Sequence, residues 1–164
     1  MPIAGSDIQY RLSGGAANTD PLAALGGAKS STVAGASILD NVLSSEGAAG
    51  DVEYRCVYVH NNHGTLTMLS PKIWVQANTP SADTTIDIGL GTSAVNGTEQ
   101  TVADENTAPA GVTFSAPANF AAGIAMADIP PGQSKAVWIR RTVTAGAAAA
   151  SDSFTLRTQC DTLP

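Results

Sequence analysis

The stretch Asp51-Val-Glu-Tyr-Arg-Cys-Val-Tyr-Val-His-Asn61 is the longest alternating run in the chain. Successive side chains of a strand point to opposite faces, so Glu53 and Arg55 fall on one side of the pleat and Tyr54, Cys56 and Tyr58 on the other. The pattern predicts a strand with one wet and one buried face. Aromatic and β-branched residues fill the run and neither Pro nor Gly interrupts it, which places it centrally with a neighbour on each edge.

Similar runs lie on either side. After a turn at Asn61-Asn62-His63-Gly64, residues 72–76 put Ile73 and Val75 on one face and Trp74 on the other, as a hairpin partner or a sandwich crossover. Residues 84–90, Thr-Thr-Ile-Asp-Ile-Gly-Leu, turn Ile86, Ile88 and Leu90 inward and Asp87 outward. Pro130-Pro131-Gly132-Gln133 fits a type II turn leading into a second strong strand at 135–143. There Val137, Ile139 and Val143 share one face and Trp138 and Arg140 the other. The Arg140 guanidinium can then stack on the Trp138 indole where the sheet meets solvent or a neighbour, making the pair a candidate interface. An Ala-rich loop over 145–151 precedes a closing strand at 153–160, with Phe154 and Leu156 inward against Thr155 and Arg157. Weaker strands are expected at 37–43 and 112–114, a loop at 44–50, a tight turn at Asn96-Gly97, and long loops at 104–109 and 117–131. About eight short strands result, predicting an all-β fold: a single β-sandwich, jelly-roll or Ig-like, over residues 37–164.

Residues 1–36 read as an extended N-terminal arm. Ile8, Tyr10 and Leu12 alternate with polar residues in one short strand, which Ser13-Gly14-Gly15 breaks. Asp20 can cap a single helical turn with Pro21 in its first position, Leu22 and Leu25 on one face and Gly26 as the stop. So little apolar surface leaves two readings, a mobile tail or an arm laid on another surface. As an arm, Ile8, Tyr10 and Leu12 add a strand to a neighbour's sheet edge, and Leu22 with Leu25 fills a shallow pocket.

A chain of 164 residues is long enough for one domain that buries roughly 70% of its unfolded surface. Charged residues make up 13% and aromatics 5%, which suits short strands and tight turns better than helices lined with Glu and Lys pairs. A net charge of −6 argues against a surface that tracks phosphates, so no nucleic acid is expected as a partner. No stretch reaches the roughly 18 apolar residues of a bilayer span, and Met1-Pro2-Ile3-Ala4-Gly5-Ser6 lacks a basic segment followed by an apolar core. The expectation is synthesis in the cytoplasm and no membrane partner. Cys56 and Cys160 are expected to point into the core as free thiols, in preference to a bridge between the central and last strands.

No catalytic, metal or cofactor site is expected. His60 and His63 lie three residues apart across a turn, and a third metal ligand would have to come from Asp51 or a distant loop. Asp104-Glu105-Asn106 offers oxygen ligands without the spaced acidic pattern of a calcium loop. Gly89-Leu90-Gly91-Thr92 lacks the lysine and following helix of a phosphate cradle, and Asn96-Gly97-Thr98 reads as a turn. Trp74 and Trp138 can line a sugar groove, although core and interface positions are commoner for so few aromatics.

The segments 51–61, 83–100 and 129–153, which include Asp-Thr-Thr-Ile-Asp-Ile-Gly-Leu-Gly and Lys-Ala-Val-Trp-Ile-Arg-Arg-Thr-Val, resemble small virion proteins of tailed bacteriophages. The resemblance covers roughly residues 51–160 and extends to capsid decoration or cement proteins. It implies a non-enzymatic structural protein on the capsid surface, bound to the major capsid protein, stabilising the shell as a homo-oligomer, with a trimer ahead of a dimer. The alternative it leaves is a tail-associated carbohydrate-binding or adhesin-like sandwich.

Overall fold

A computed structural model of the protein describes residues 2–148 and 152–161. In chain order the strands are β1 (Ile8–Leu12), β2 (Gly26–Gly27), β3 (Asp51–Asn61), β4 (Leu69–Ala77), β5 (Thr84–Leu90), β6 (Glu99–Thr101), β7 (Ile124–Ala125), β8 (Ser134–Val143) and β9 (Thr155–Asp161), with one α-helix, α1 (Ser44–Ala49), among the described residues. The fold is an all-β sandwich. Its main sheet runs β1-β3-β8-β5 and its second sheet β7-β4-β9, all antiparallel, with β2 and β6 pairing separately. The chain crosses between sheets from β3 to β4, so these two strands form a crossover and not a hairpin. Pro71 sits where β4 shifts register against β9, one of the few places a sheet tolerates a residue with no donor.

The alternation in β3 and β8 is real, but both faces are dry. Between the sheets lies the main core, where Val57, Val59, Val137, Ile139, Ile86 and Ile88 meet Ile73 and Val75. On the opposite face of the main sheet, Tyr54, Cys56, Tyr58, Ala136 and Trp138 form a second cluster with Val102, roofed by Leu25, Val112 and Phe114. The wet face expected for Glu53 and Arg55 is therefore a correction: they are 1% and 0% exposed and share the face of Val57 and Val59. Coil rather than a regular element roofs the second cluster, and period-2 reading does not register coil.

The N-terminal segment also departs from expectation. Strand β1 takes the edge of its own chain's β3, in register from Ile8 opposite Asn61 to Leu12 opposite Val57. Where β1 ends, the Cys56 N–H donates to Ala24 O and the Tyr54 N–H to Glu105 O, each at 2.7 Å, so β3 stays paired beyond β1. Residues 30–34 fold back along β1, with Leu12 N donating to Thr32 O (3.1 Å), Ser30 N to Leu12 O (2.8 Å) and Ala34 N to Tyr10 O (2.7 Å). Leu12 is buried, Ile8 and Tyr10 pack against the main core, and Leu25 roofs the second cluster. Leu22 is 45% exposed. A central strand needs a partner on each edge, and the chain supplies one from about 50 residues upstream.

Residues 37–43 form no strand; they are coil that buries Ile38 and leaves Leu43 exposed. The loop expected over 44–50 contains α1, where the Leu43 N–H donates to the Glu46 carboxylate at 2.6 Å and Gly50, at φ +81°, ends the helix. Residues 112–114 are also coil, with Ser115 bridging Ile88 just beyond them. The turn before β8 forms as read, Gln133 N donating to Pro130 O at 3.1 Å with Gly132 at φ +75°. In β9 the faces hold, and Phe154, Leu156 and Cys160 pack against the main core. Cys56 belongs to the other cluster, so Phe154 does not pack on it, and the two free thiols lie on opposite sides of the main sheet. Residues 149–151 of the expected Ala-rich loop lie outside the described residues.

Candidate functional site

The most concentrated chemistry is a set of charged side chains buried at one end of the main sheet. Antiparallel register places Glu53 on β3 directly opposite Arg141 on β8, and the two form an ion pair. Two residues on, Arg55 points to the same face, is fully buried and pairs with Glu105. Asp40, from the 37–43 coil, closes the group: Arg141 donates to its backbone O at 2.7 Å and to Oδ1 at 3.2 Å, and Arg55 Nη2 stands 3.8 Å from the same Oδ1. Burial and the adjoining Asp40 carboxyl push Glu53 up to about 8, against the pull of Arg141 and Arg55.

The Asp40, Glu53 and Glu105 carboxylates have oxygens within 4.8 Å of one another, a spacing that suits a hard divalent cation. Two guanidiniums already stand among them and supply the positive charge, so the arrangement acts as a clasp. It ties the 37–43 coil and the loop carrying Glu105 to one end of β3 and β8, the two inner strands of the main sheet.

A second internal anion site lies at Gly89-Leu90-Gly91-Thr92. The loop does cradle an anion through backbone donors, and the anion is the chain's own Glu99. Thr92 N and Oγ1 donate to Glu99 Oε1, both at 3.1 Å, and Ser93 N donates to Oε2 at 2.9 Å. Burial pushes the Glu99 carboxyl up, but these hydrogen bonds outweigh it and hold it down at about 2. Gly91 is required there, because a Cβ would collide with the Glu99 carboxylate and Ala136. Lys135 Nζ donates to Gly91 O at 2.8 Å and also to Ser93 O.

The histidines do not converge. His60 is buried with Nδ1 3.1 Å from Lys29 Nζ, and burial with the Lys29 and Arg11 charges lowers it to about 4. His63 Nδ1 accepts the Thr65 and Leu66 N–H groups at 3.1 and 2.9 Å, a turn-stabilising role. In the 104–106 loop, Asp104 Oδ1 accepts from Thr107 Oγ1 (2.6 Å) and Asn106 Nδ2 donates to Asp51 Oδ1 (2.8 Å), while Glu105 turns inward to Arg55.

The expected Trp138–Arg140 stack does not form. Trp138 is fully buried in the second cluster, and Arg140 lies 4.9 Å over the Phe114 ring while Nη2 bonds Asp87 Oδ2 at 2.8 Å. Roofing coil covers the indole, which removes Trp138 as an interface residue. Trp74 is 5% exposed, with Phe120 packed edge-on at 5.8 Å and Arg157 above it at 5.9 Å. With both indoles covered, neither presents a face for sugar stacking.

Between the sheets near β9, a cleft of about 1100 Å³ is walled by Tyr10, Leu39, Val57, Ile139, Phe154 and Leu156, with Asp40 and Arg141 at its polar end. Tyr10 Oη and Thr158 Oγ1 are 2.8 Å apart, joining β1 to β9. Its volume is close to that of small-molecule pockets, but Asp40 and Arg141 are already paired with each other and Asp152 accepts the Ser81 N–H at 3.1 Å.

Sequence reasoning missed the clasp for a specific reason: Glu53 and Arg55 looked like a wet face, and Asp40 lay in an expected strand. The available signal was that Glu53 and Arg55 share their face of the run with Val57 and Val59, and that Arg141 shares its face with Val137, Ile139 and Val143. Comparison with protein-family models, with curated proteins and with solved structures finds no match to the chain.

Proposed function

We propose that the chain is a non-enzymatic structural protein of a tailed-phage virion, a capsid decoration protein that binds the major capsid protein on the outer shell and stabilises it. The observation that carries this reading is how the chain spends its few charges. Arg55 and Arg141 hold the 37–43 coil and the Glu105 loop to the sheet, Arg140 joins β8 to β5 through Asp87, and Lys135 and Glu99 brace the turn at 91–93. Charge used this way makes a body whose coil segments hold their shape, which suits a cap whose work is to add rigidity to a lattice. The acidic balance and the Gly, Ala and Thr content support the same reading.

The test uses shells assembled without this protein. Purified protein should co-sediment with them to a saturating ratio fixed by the lattice and raise the temperature at which they open. Absence of co-sedimentation across the concentration range overturns the proposal.

A further inference from the structure

The sheet edges differ in what covers them. The outer edge of β1 is covered by residues 30–34. On β5, Ile88 and Ser115 exchange backbone hydrogen bonds of 2.8 and 3.0 Å, while the Asn78 side chain bonds Ile86 N and O. Strand β7 has two residues. Strand β9 pairs with β4 on one side, and among the described residues no backbone group bonds its other side over Thr155–Asp161. It is a seven-residue open edge without Pro or Lys, the condition under which sheets pair edge to edge.

Two further features bear on what fills that edge. Leu156 and Cys160, on its inner row, are only half-buried: Leu156 borders the cleft described above, and Cys160 lies near the end of the strand. The outer row is Thr155, Arg157, Gln159 and Asp161, and neither Arg157 nor Asp161 has an ion-pair partner among the described residues. That row is self-complementary. In an antiparallel pair of β9 strands with Gln159 opposite the partner's Gln159, each Arg157 faces the partner's Asp161, and each Thr158 faces the partner's Cys160. A two-fold axis perpendicular to the sheet keeps inner and outer rows on their own sides, as such a pair requires.

We propose that β9 is a homodimerisation edge: two copies of the chain join through antiparallel β9 strands, with the Arg157–Asp161 pair formed twice. The second sheets then merge into one of six strands, β7-β4-β9 continued by the partner's β9-β4-β7, and the partner's Thr158 covers Cys160. Such an edge closes as a dimer, in place of the trimer expected from the sequence. The inference rests on the edge and its charges and not on shell binding, which has its own assay.

The contact is smaller than a standard interface, so the dimer is expected at concentrations on the order of 100 µM. The full chain is examined by sedimentation equilibrium with four partners of design: wild type, R157D, D161R and the double variant R157D/D161R. Circular dichroism of each confirms that the exposed substitutions leave the fold intact. Wild type should dimerise, each single variant should weaken dimerisation at least tenfold by setting like charges opposite each other, and the double variant should recover it. A second arm places Gln159→Cys in a Cys160→Ser background, which should give a covalent dimer on mild oxidation. A monomeric wild type at that concentration, single variants that dimerise like wild type, a double variant that stays monomeric, or no Q159C cross-link would each overturn the proposal.

Discussion

Replacing Leu12 with Ala asks whether the N-terminal segment belongs to the folded body. Leu12 is 1% exposed, its side chain lies in the main core, and its backbone closes both the ladder to Val57 and the fold-back to residues 30 and 32. Deleting a buried leucine costs about 2–5 kcal/mol through lost transfer energy and the cavity left behind. For a domain of this size each kcal/mol shifts the melting temperature by about 2–4 °C, so the expected fall is about 4–20 °C. Leu22→Ala is the matched control: the same chemical change ten residues on, at a side chain 45% exposed, should cost about 0.5 kcal/mol or less. Urea unfolding followed by circular dichroism and by tryptophan fluorescence measures both, since Trp138 in the second cluster and Trp74 in the second sheet report different regions. If Leu12→Ala costs no more than Leu22→Ala, the segment is an accessory arm and the reasoning from the β1–β3 ladder fails. By the same argument, a chain lacking residues 1–36 should not fold.

At pH 9, above the value of about 8 at which Glu53 ionises, Arg141→Met strands a buried carboxylate and should cost about 3–5 kcal/mol, whereas Arg140→Met, at a partly exposed pair, should cost about 1 kcal/mol or less; equal losses in denaturant titration at that pH would remove the clasp. His60 is held at about 4 against an ordinary 6.5, so the unfolded chain takes up its proton first as the pH falls. Stability tied to His60 is complete above pH 6.5 and shrinks by about 3 kcal/mol by pH 4. Glu53 titrates the opposite way, gaining stability as pH falls from 8 towards 4.5, so the readout is the wild type minus His60→Gln difference, in which Glu53 cancels; a difference that stays constant from pH 7 to 4 refutes the assignment. Both cysteines should titrate as free thiols after unfolding without reductant, and in the native protein Cys160 should react well before the buried Cys56; matching rates would place Cys56 nearer the surface than the second cluster allows.

The strands were legible where the sheet sides could be read from one alternating run. Ile86 and Ile88, Val137 and Ile139, and Ile73 and Val75 all face the core they were expected to face, because β-branched residues at period 2 report a pleated surface directly. Less legible was what lies against the other side. Tyr54, Cys56 and Trp138 are covered by Leu25, expected on a helical turn facing another surface, and by Val112 and Phe114, expected on a short strand but held in coil. Residues 37–43 carry Ile38, Leu39, Val42 and Leu43 at spacings that fit a strand, yet Asp40 pulls the segment onto Arg141 and no ladder forms. The clasp depends on contacts 50 and 101 residues apart in sequence, Arg55 to Glu105 and Arg141 to Asp40, and no local pattern encodes such pairings.

The most direct test of the structural role is the copy number of this protein on purified particles stripped in steps. Quantitative mass spectrometry of each fraction should find it leaving with the shell, at a ratio to the major capsid protein set by the lattice. A few copies per particle that leave with the tail, or none at all, would contradict the account.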